Sequence, residues 1–232
     1  MNTESLNTNL QKFWNDNFKN LKPEKLSVSD IKVNNELDKA IKFIGDKANQ
    51  VLDIGTGSGY ALFYAKVLGK KINYGLGIDT SINAIEYSKE TARLSQITGL
   101  EFKVADHLYL ESLPDLSYDG IICSNVLDVI PKDTSKAIIK EIKRLLIPNG
   151  YLLLKFNFYL TKAIIEKIKM QEIAENTFTL DGILRGVNYT TEQWLDNFKD
   201  FKVIKIAEYD RVKKGPKDRV VLLQKLGEDN GN

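Results

Sequence analysis

Short apolar runs recur along the chain at fairly even intervals: Val51 to Ile54, Tyr74 to Ile78, Phe102 to Val104, Gly120 to Cys123 and Tyr151 to Phe156. Longer amphipathic stretches separate them, a rhythm that predicts parallel strands joined by helical crossovers. The run Tyr151-Leu152-Leu153-Leu154 does not alternate, as expected of a strand covered by helices on both faces. The helices carry their own boundaries. Tyr60 to Leu68 stops at Gly69, a natural C-terminal cap, and Ser81 can cap the helix that follows Asp79. Ile138, Ile142, Leu145 and Leu146 recur at helical spacing until Pro148-Asn149-Gly150 stops that helix and turns the chain into the fifth strand.

The flanks are less regular. Residues 1–45 read as a cap segment, with Phe13, Trp14 and Phe18 followed by an amphipathic helix through Leu37, Ile41 and Ile44. Those aromatics either staple the segment to the core or close over a bound molecule. Residues 157–198 predict a helical lid insertion containing a capping box, Thr190 to Gln193. Phe201 to Ala207 and Val220 to Leu226 predict two last strands, paired antiparallel across a loop. Together these elements predict one α/β domain over residues 1–232, with a doubly wound, mainly parallel seven-stranded sheet, an antiparallel last strand and helices on both faces.

Composition changes this picture little. With 43% hydrophobic residues in 232, the chain supplies a core without disulfides or a metal, and the lone Cys123 cannot bridge within the chain. The apolar runs are strand-length rather than the ~20 residues of a membrane span, and Met1 to Leu10 lacks the features of a signal peptide. A soluble, cytoplasmic protein with no membrane partner is expected. Lys and Arg total 33 against 31 Asp and Glu, a net charge of +2 that leaves no electrostatic footprint for nucleic acid. The one basic cluster, Lys213, Lys214, Lys217 and Arg219 around Gly215-Pro216, reads as a solvated hairpin loop.

The chemistry concentrates at Val51-Leu52-Asp53-Ile54-Gly55-Thr56-Gly57-Ser58-Gly59, a strand that ends in a carboxylate and enters a G-x-G-x-G turn. Glycines belong there because the turn is tight and a ligand must approach the backbone. The dinucleotide pattern G-x-G-x-x-G fails at Tyr60, and no phosphate-binding G-x-x-x-x-G-K-[ST] occurs. A second acidic tip, Asp79 in Gly75-Leu76-Gly77-Ile78-Asp79-Thr80-Ser81, lies 24 positions beyond Gly55. A carboxylate there can accept from both hydroxyls of a ribose, so the pair defines an adenosine site. Asp106, ending the third strand, can accept from an exocyclic adenine amine.

On these residues the chain resembles the class I S-adenosylmethionine-dependent methyltransferases, in particular the type 11 group, over roughly residues 36–226. The resemblance implies a Rossmann-like methyltransferase domain with S-adenosyl-L-methionine as cofactor. It implies that Asp53, Gly55 and Gly57 line the methionine moiety, that Asp79 holds the ribose and that Asp106 faces the adenine. Ser124 and Asn125, after the fourth strand, would lie near the cofactor's amino-acid end. Thr56, Thr80, Ser81 and His107 complete the expected cofactor contacts. Leu145 to Gly150 is similar to the family's L-x-P-G-G turn, with Asn149 in place of the first glycine, and Asn also tolerates a left-handed backbone.

The cofactor's sulfonium already activates the methyl group, so alignment of a nucleophile suffices; orientation alone can correspond to effective molarities of ~10⁵–10⁸ M. Asp128, three residues after Asn125, is the candidate catalytic side chain, because relatives keep a polar residue facing the substrate there. Its alternative role is a helix N-terminal position. A carboxylate of ordinary pKa, about 3.9, is a poor base unless burial raises it. Neither N-P-P-Y nor a Pro-Cys pair follows the fourth strand, which disfavours methylation of DNA bases. The expected acceptor is an O or N nucleophile of a small molecule. An RNA or protein acceptor docking on the basic loop, or a non-catalytic S-adenosylmethionine-binding protein, are the alternatives, and oligomeric state is left open.

Overall fold

In the computed structural model, which describes residues 2–27, 29, 31–211 and 215–227, the five apolar runs form β1 (Gln50–Ile54), β2 (Tyr74–Asp79), β3 (Leu100–Val104), β4 (Tyr118–Ser124) and β5 (Leu146–Phe156). Two later strands, β9 (Phe201–Asp210) and β10 (Lys217–Lys225), complete a seven-stranded sheet of order β3-β2-β1-β4-β5-β10-β9. The pairs among β1 to β5 are parallel, whereas β10 runs antiparallel to both β5 and β9. This is the expected Rossmann-like, doubly wound sheet.

Successive residues of each central strand feed different cores. Val51, Ile122, Leu153, Val220 and Leu222 pack with α2 (Glu36–Lys47), α3 (Tyr60–Leu68) and α4 (Ile82–Ser95). Leu52, Ile121, Leu154, Val221 and Leu223 pack on the other face with α5 (Lys132–Leu145) and with Trp194 of α7 (Thr191–Leu195). Burial on both faces explains why Leu152, Leu153 and Leu154 of β5 do not alternate with polar residues, each such side chain contributing about 1.5–3 kcal/mol. No helix among the described residues is long and apolar enough to cross a membrane.

Gly69 caps α3 as expected, its N–H donating to the carbonyl of Ala65 (3.0 Å) from an extended backbone. Its constraint is steric: a Cβ there would lie 2.2 Å from the carbonyl carbon of Gly45, so this glycine pair sets how closely α2 and the end of α3 approach. One local expectation changes: Pro148-Asn149-Gly150 does not separate helix from strand. Leu146 already pairs with Tyr118, and the register resumes at Gly120–Tyr151, so these residues form a bulge inside β5 with Asn149 left-handed at φ 64°.

The insertion 157–198 is not mainly helical. Only α6 (Lys162–Ile168) and α7 are α-helices within it. Between them lies an antiparallel sheet of order β6-β7-β8, built from Gln171–Ala174, Thr177–Leu180 and Ile183–Val187. The cause is visible in Thr177-Phe178-Thr179-Leu180-Asp181-Gly182. Period-2 alternation runs into Asp-Gly, and both turn residues are left-handed, at φ 52° and 75°, as a tight hairpin requires. The capping box at Thr190–Gln193 forms as expected.

In the cap segment, α1 (Thr3–Phe18) starts at Asn2, whose side chain accepts from Ser5 N. The helix lies across the carboxyl ends of the strands. Gln11 Nε2 donates to the carbonyl of Thr80 (3.1 Å), and Asn83 Nδ2 donates to the carbonyl of Asn15 (2.9 Å). Of the basic cluster, Lys213 and Lys214 lie outside the described residues and Lys217 is exposed. Arg219 is not in a solvated loop: it belongs to β10 and is 6% exposed.

Candidate cofactor cleft and acceptor pocket

Parallel strands leave a crevice at their carboxyl ends where the crossovers diverge, and here it is a cleft of about 760 Å³ between those ends and α1. Gly55, Gly57 and Gly59 turn the chain from β1 into α3 with positive φ of 69°, 52° and 75°. A Cβ on Gly55 would meet Val126 Cγ2 at 2.4 Å, whereas on Gly57 it would meet only the Phe18 ring, at 3.6 Å. The missing Cβ of Gly57 therefore keeps the cleft floor open.

Asp79 ends β2 on that floor. One carboxylate oxygen accepts from Gly57 N and the other from Ser81 N, both at 2.9 Å. Burial raises its pKa against the opposing pull of these backbone donors. Each oxygen retains acceptor capacity, which is what a ribose diol needs. Asp106 accepts from Leu108 N (2.9 Å) through Oδ1, capping a 3-10 turn, and presents its other oxygen at the exposed end of β3. Ile78, Ala105 and Leu108 give that end an apolar wall, with His107 beside them.

Eight of the expected cofactor residues line the cleft: Gly55, Gly57, Asp79, Thr80, Asp106, His107, Ser124 and Asn125. The other three stand behind it. Asp53 is 1% exposed and accepts from the Thr56 hydroxyl (2.7 Å). Burial pushes its carboxyl up to about 7, against that hydrogen bond. Ser81 is fully buried, its hydroxyl capping α4 and donating to Asn15. These side chains shape the glycine turn and the start of α4 rather than touch the cleft. The cradle over Gly57, the spare acceptors of Asp79 and the apolar wall beside Asp106 fit an adenosyl group with a flexible amino-acid tail.

A second cavity of about 230 Å³ adjoins the first, and Trp14, Asn125 and Val129 line both. Its far wall is the insertion, through Leu160, Leu180 and Leu184. Asp128 lies here, not in the cofactor cleft. It is 3% exposed, and its Oδ2 accepts from Asn157 N (2.7 Å) and Nδ2 (3.0 Å). Its Oδ1 has no partner among the described residues. Burial raises the Asp128 pKa, and the Asn157 donors, Lys155 and Arg219 oppose that shift.

Four functional candidates escaped the sequence reading: Lys155, Asn157, Arg185 and Arg219. Lys155 is 1% exposed, ion-paired to the fully buried Asp218 at 2.6 Å, and donates to Asn125 Oδ1. A lysine inside a run buried on both faces requires such a partner, and that was a readable sign. Arg219, also in an apolar strand, carried the same sign. Arg185 and Asn157 carried none, because their placement depends on the β7–β8 hairpin.

The comparisons with known proteins agree with this geometry. Residues 45–202, more than half the chain, match a family described as a methyltransferase domain. A crystal structure of an S-adenosylmethionine-dependent methyltransferase from Methanosarcina mazei is 27% identical and covers 79% of this chain and 95% of its own, with a TM-score of 0.63. The 1,6-didemethyltoxoflavin-N1-methyltransferase of Burkholderia thailandensis, solved with 1,6-didemethyltoxoflavin and S-adenosylhomocysteine, shares the fold over 97% of this chain and 91% of its own (TM-score 0.69, 15% identity). A ribosomal protein L11 methyltransferase from Fusobacterium nucleatum is 32% identical over 115 residues, 49% of this chain but only 36% of that relative. The chain spans about a third to two fifths of the length of the curated relatives it matches, and it belongs to the methyltransferase-domain family.

Proposed function

We propose that the protein transfers a methyl group to an oxygen or nitrogen nucleophile of a small molecule seated in the 230 Å³ cavity. The single observation that carries this reading is the adjoining pair of cavities, one sized for the cofactor and one for a small acceptor, with Asn125 and Val129 at their junction. The cleft residues Gly55, Gly57, Asp79, Thr80, Asp106, His107 and Asn125 hold the cofactor, with Asp53, Thr56 and Ser81 supporting them from behind. S-adenosylmethionine supplies a methyl group already activated on a sulfonium. The bond from the acceptor's O or N to that carbon forms as the carbon–sulfur bond breaks, its electron pair returning to sulfur.

What the chain adds is alignment, exclusion of water and a place for the proton. Asp128 is one residue from Val129, and the rise in its pKa makes its unpartnered Oδ1 a better proton acceptor than an ordinary carboxylate. The N-terminal cap roofs the cofactor and the insertion walls the acceptor, so the domain works as one unit.

The L11 relatives raise a protein acceptor as the competing reading. Their matched stretch spans about a third of their own length. The test is to incubate the protein with methyl-labelled cofactor and fractionated cell extract. Label should enter the small-molecule fraction, and Ile168→Trp, which adds bulk at a half-exposed position of the second cavity, should abolish it without changing S-adenosylhomocysteine affinity. Label in RNA or protein, indifferent to Ile168→Trp, rejects the proposal; cofactor binding with no label anywhere favours a non-catalytic role.

A further inference from the structure

The charge of the second cavity is out of balance. Three guanidinium groups line it, those of Arg185, Arg211 and Arg219, against one carboxylate, Asp128. Asp218, a neighbouring acid, is committed to Lys155 at 2.6 Å and stands 3.9 Å from Arg211. Neither Arg185 nor Arg219 forms an ion pair among the described residues.

Arg219 is the more telling of the two. It is 6% exposed, and its two hydrogen bonds, Nε to the carbonyl of Asn157 (3.0 Å) and Nη1 to that of Tyr189 (2.8 Å), orient the group without neutralising it. Nη2 has no hydrogen-bond partner among the described residues. Burial lowers the pKa of Arg219, although Asp128 and other acids pull the other way. A cation held out of water with no ion pair is costly unless a ligand completes it. Arg185 lies over the Phe13 ring at 4.9 Å and makes no hydrogen bond among the described residues, which leaves its donors available at the same cavity. Phe158, Leu160, Met170, Leu180 and Leu184 supply an apolar wall, beside the amides of Asn125, Asn157 and Asn188.

We infer that the methyl acceptor is a small organic acid, whose carboxylate is held by Arg185 and Arg219 while its apolar body fills the insertion side of the cavity and its hydroxyl or amine faces Asp128. A guanidinium fork matches the planar carboxylate, and the Asp128 Oδ1 takes the hydrogen of the nucleophile. This inference rests on the second cavity being the acceptor site.

Arg185→Gln is the informative variant, because this exposed side chain makes no hydrogen bond and its loss should leave the fold intact. The probes are benzoate, 4-hydroxybenzoate, 3-phenylpropionate and indole-3-acetate, each beside its carboxamide, together with phenyl phosphate. They are titrated by calorimetry into the S-adenosylhomocysteine-loaded protein. At least one acid should bind about tenfold or more tighter than its amide, and Arg185→Gln should weaken that acid by about ten- to a hundredfold while leaving the amide unchanged. Amides that bind as well as acids, an acid preference that survives Arg185→Gln, tighter binding of phenyl phosphate than of every acid, or no acid bound at millimolar concentration overturns it. Amides whose binding is blocked by Ile168→Trp would remove the anion but keep the acceptor pocket. Label entering only macromolecules would remove the pocket reading itself.

Discussion

Asp53 and Asp79 both end strands beside the same glycine turn, yet they face different surroundings. Asp79→Ala removes the carboxylate on the cleft floor and should weaken S-adenosylmethionine binding by about 1.5–3 kcal/mol per lost charge-assisted bond, with the fold retained. Asp53→Asn should cost less affinity, and calorimetry on both variants checks the order. Its signature is instead a change in how stability varies with pH. Burial lifts the folded pKa of Asp53 from 3.8 to about 7, so its contribution is complete below about pH 4 and is lost as pH rises through 7. Asn keeps an oxygen for the Thr56 hydroxyl but cannot ionise. Relative to the parent, Asp53→Asn should gain up to roughly 4 kcal/mol between pH 4 and pH 8.5 in urea melts, and a parallel pH dependence in both proteins would refute this. The sequence identified both acids, but which one faces the cleft depends on how the glycine turn folds over Asp53.

Elements differ in how far local pattern decides them. The strands and crossovers of the sheet were legible because each carries its own periodicity and caps, from β1 through α5. The insertion was misread where a hairpin turn at Asp181-Gly182 outweighed helix-compatible neighbours, and the cap helix α1 was seen only as aromatic residues. Within these regions α1, α6 and β6 bury little, unlike β7, β8 and α7. The described side chains of α6 include none that is buried, β6 is exposed throughout, and α1 buries only Leu6 and Leu10. Such elements open at low free-energy cost. Hydrogen exchange should therefore be fast in α1, α6 and β6 of the free protein. Cofactor should slow α1, and cofactor with acceptor should slow α6 and β6 as well. Strong protection of all three without ligand would show that they are fixed walls rather than a closing roof.

At the scale of the whole molecule, the insertion is tied to the sheet both by apolar side chains, Val187, Trp194 and Phe198 in the main core, and by polar groups around the second cavity. Val187 N donates to the carbonyl of Asp128 (2.7 Å) and Arg219 reaches from β10 to Asn157 and Tyr189, while Asn188 brackets Leu160 within the insertion itself. Beneath them sits the Lys155–Asp218 pair, whose Asp218 also accepts from Phe158 N (3.1 Å) and whose Lys155 holds Asn125 at the junction of the two cavities. Removing one member of a buried pair strands the other, so Asp218→Asn should cost about 3–5 kcal/mol. Replacing both with apolar residues of similar size, Lys155→Met with Asp218→Leu, removes the stranded charge and should restore most of that stability. Turnover should not follow. Asn125 loses its anchor and Phe158 N its acceptor, so kcat in the double variant should stay well below the parent's even where its urea midpoint recovers. A double variant that regains both stability and kcat would show that the pair serves the core alone, and that the junction between cofactor and acceptor is held by other contacts.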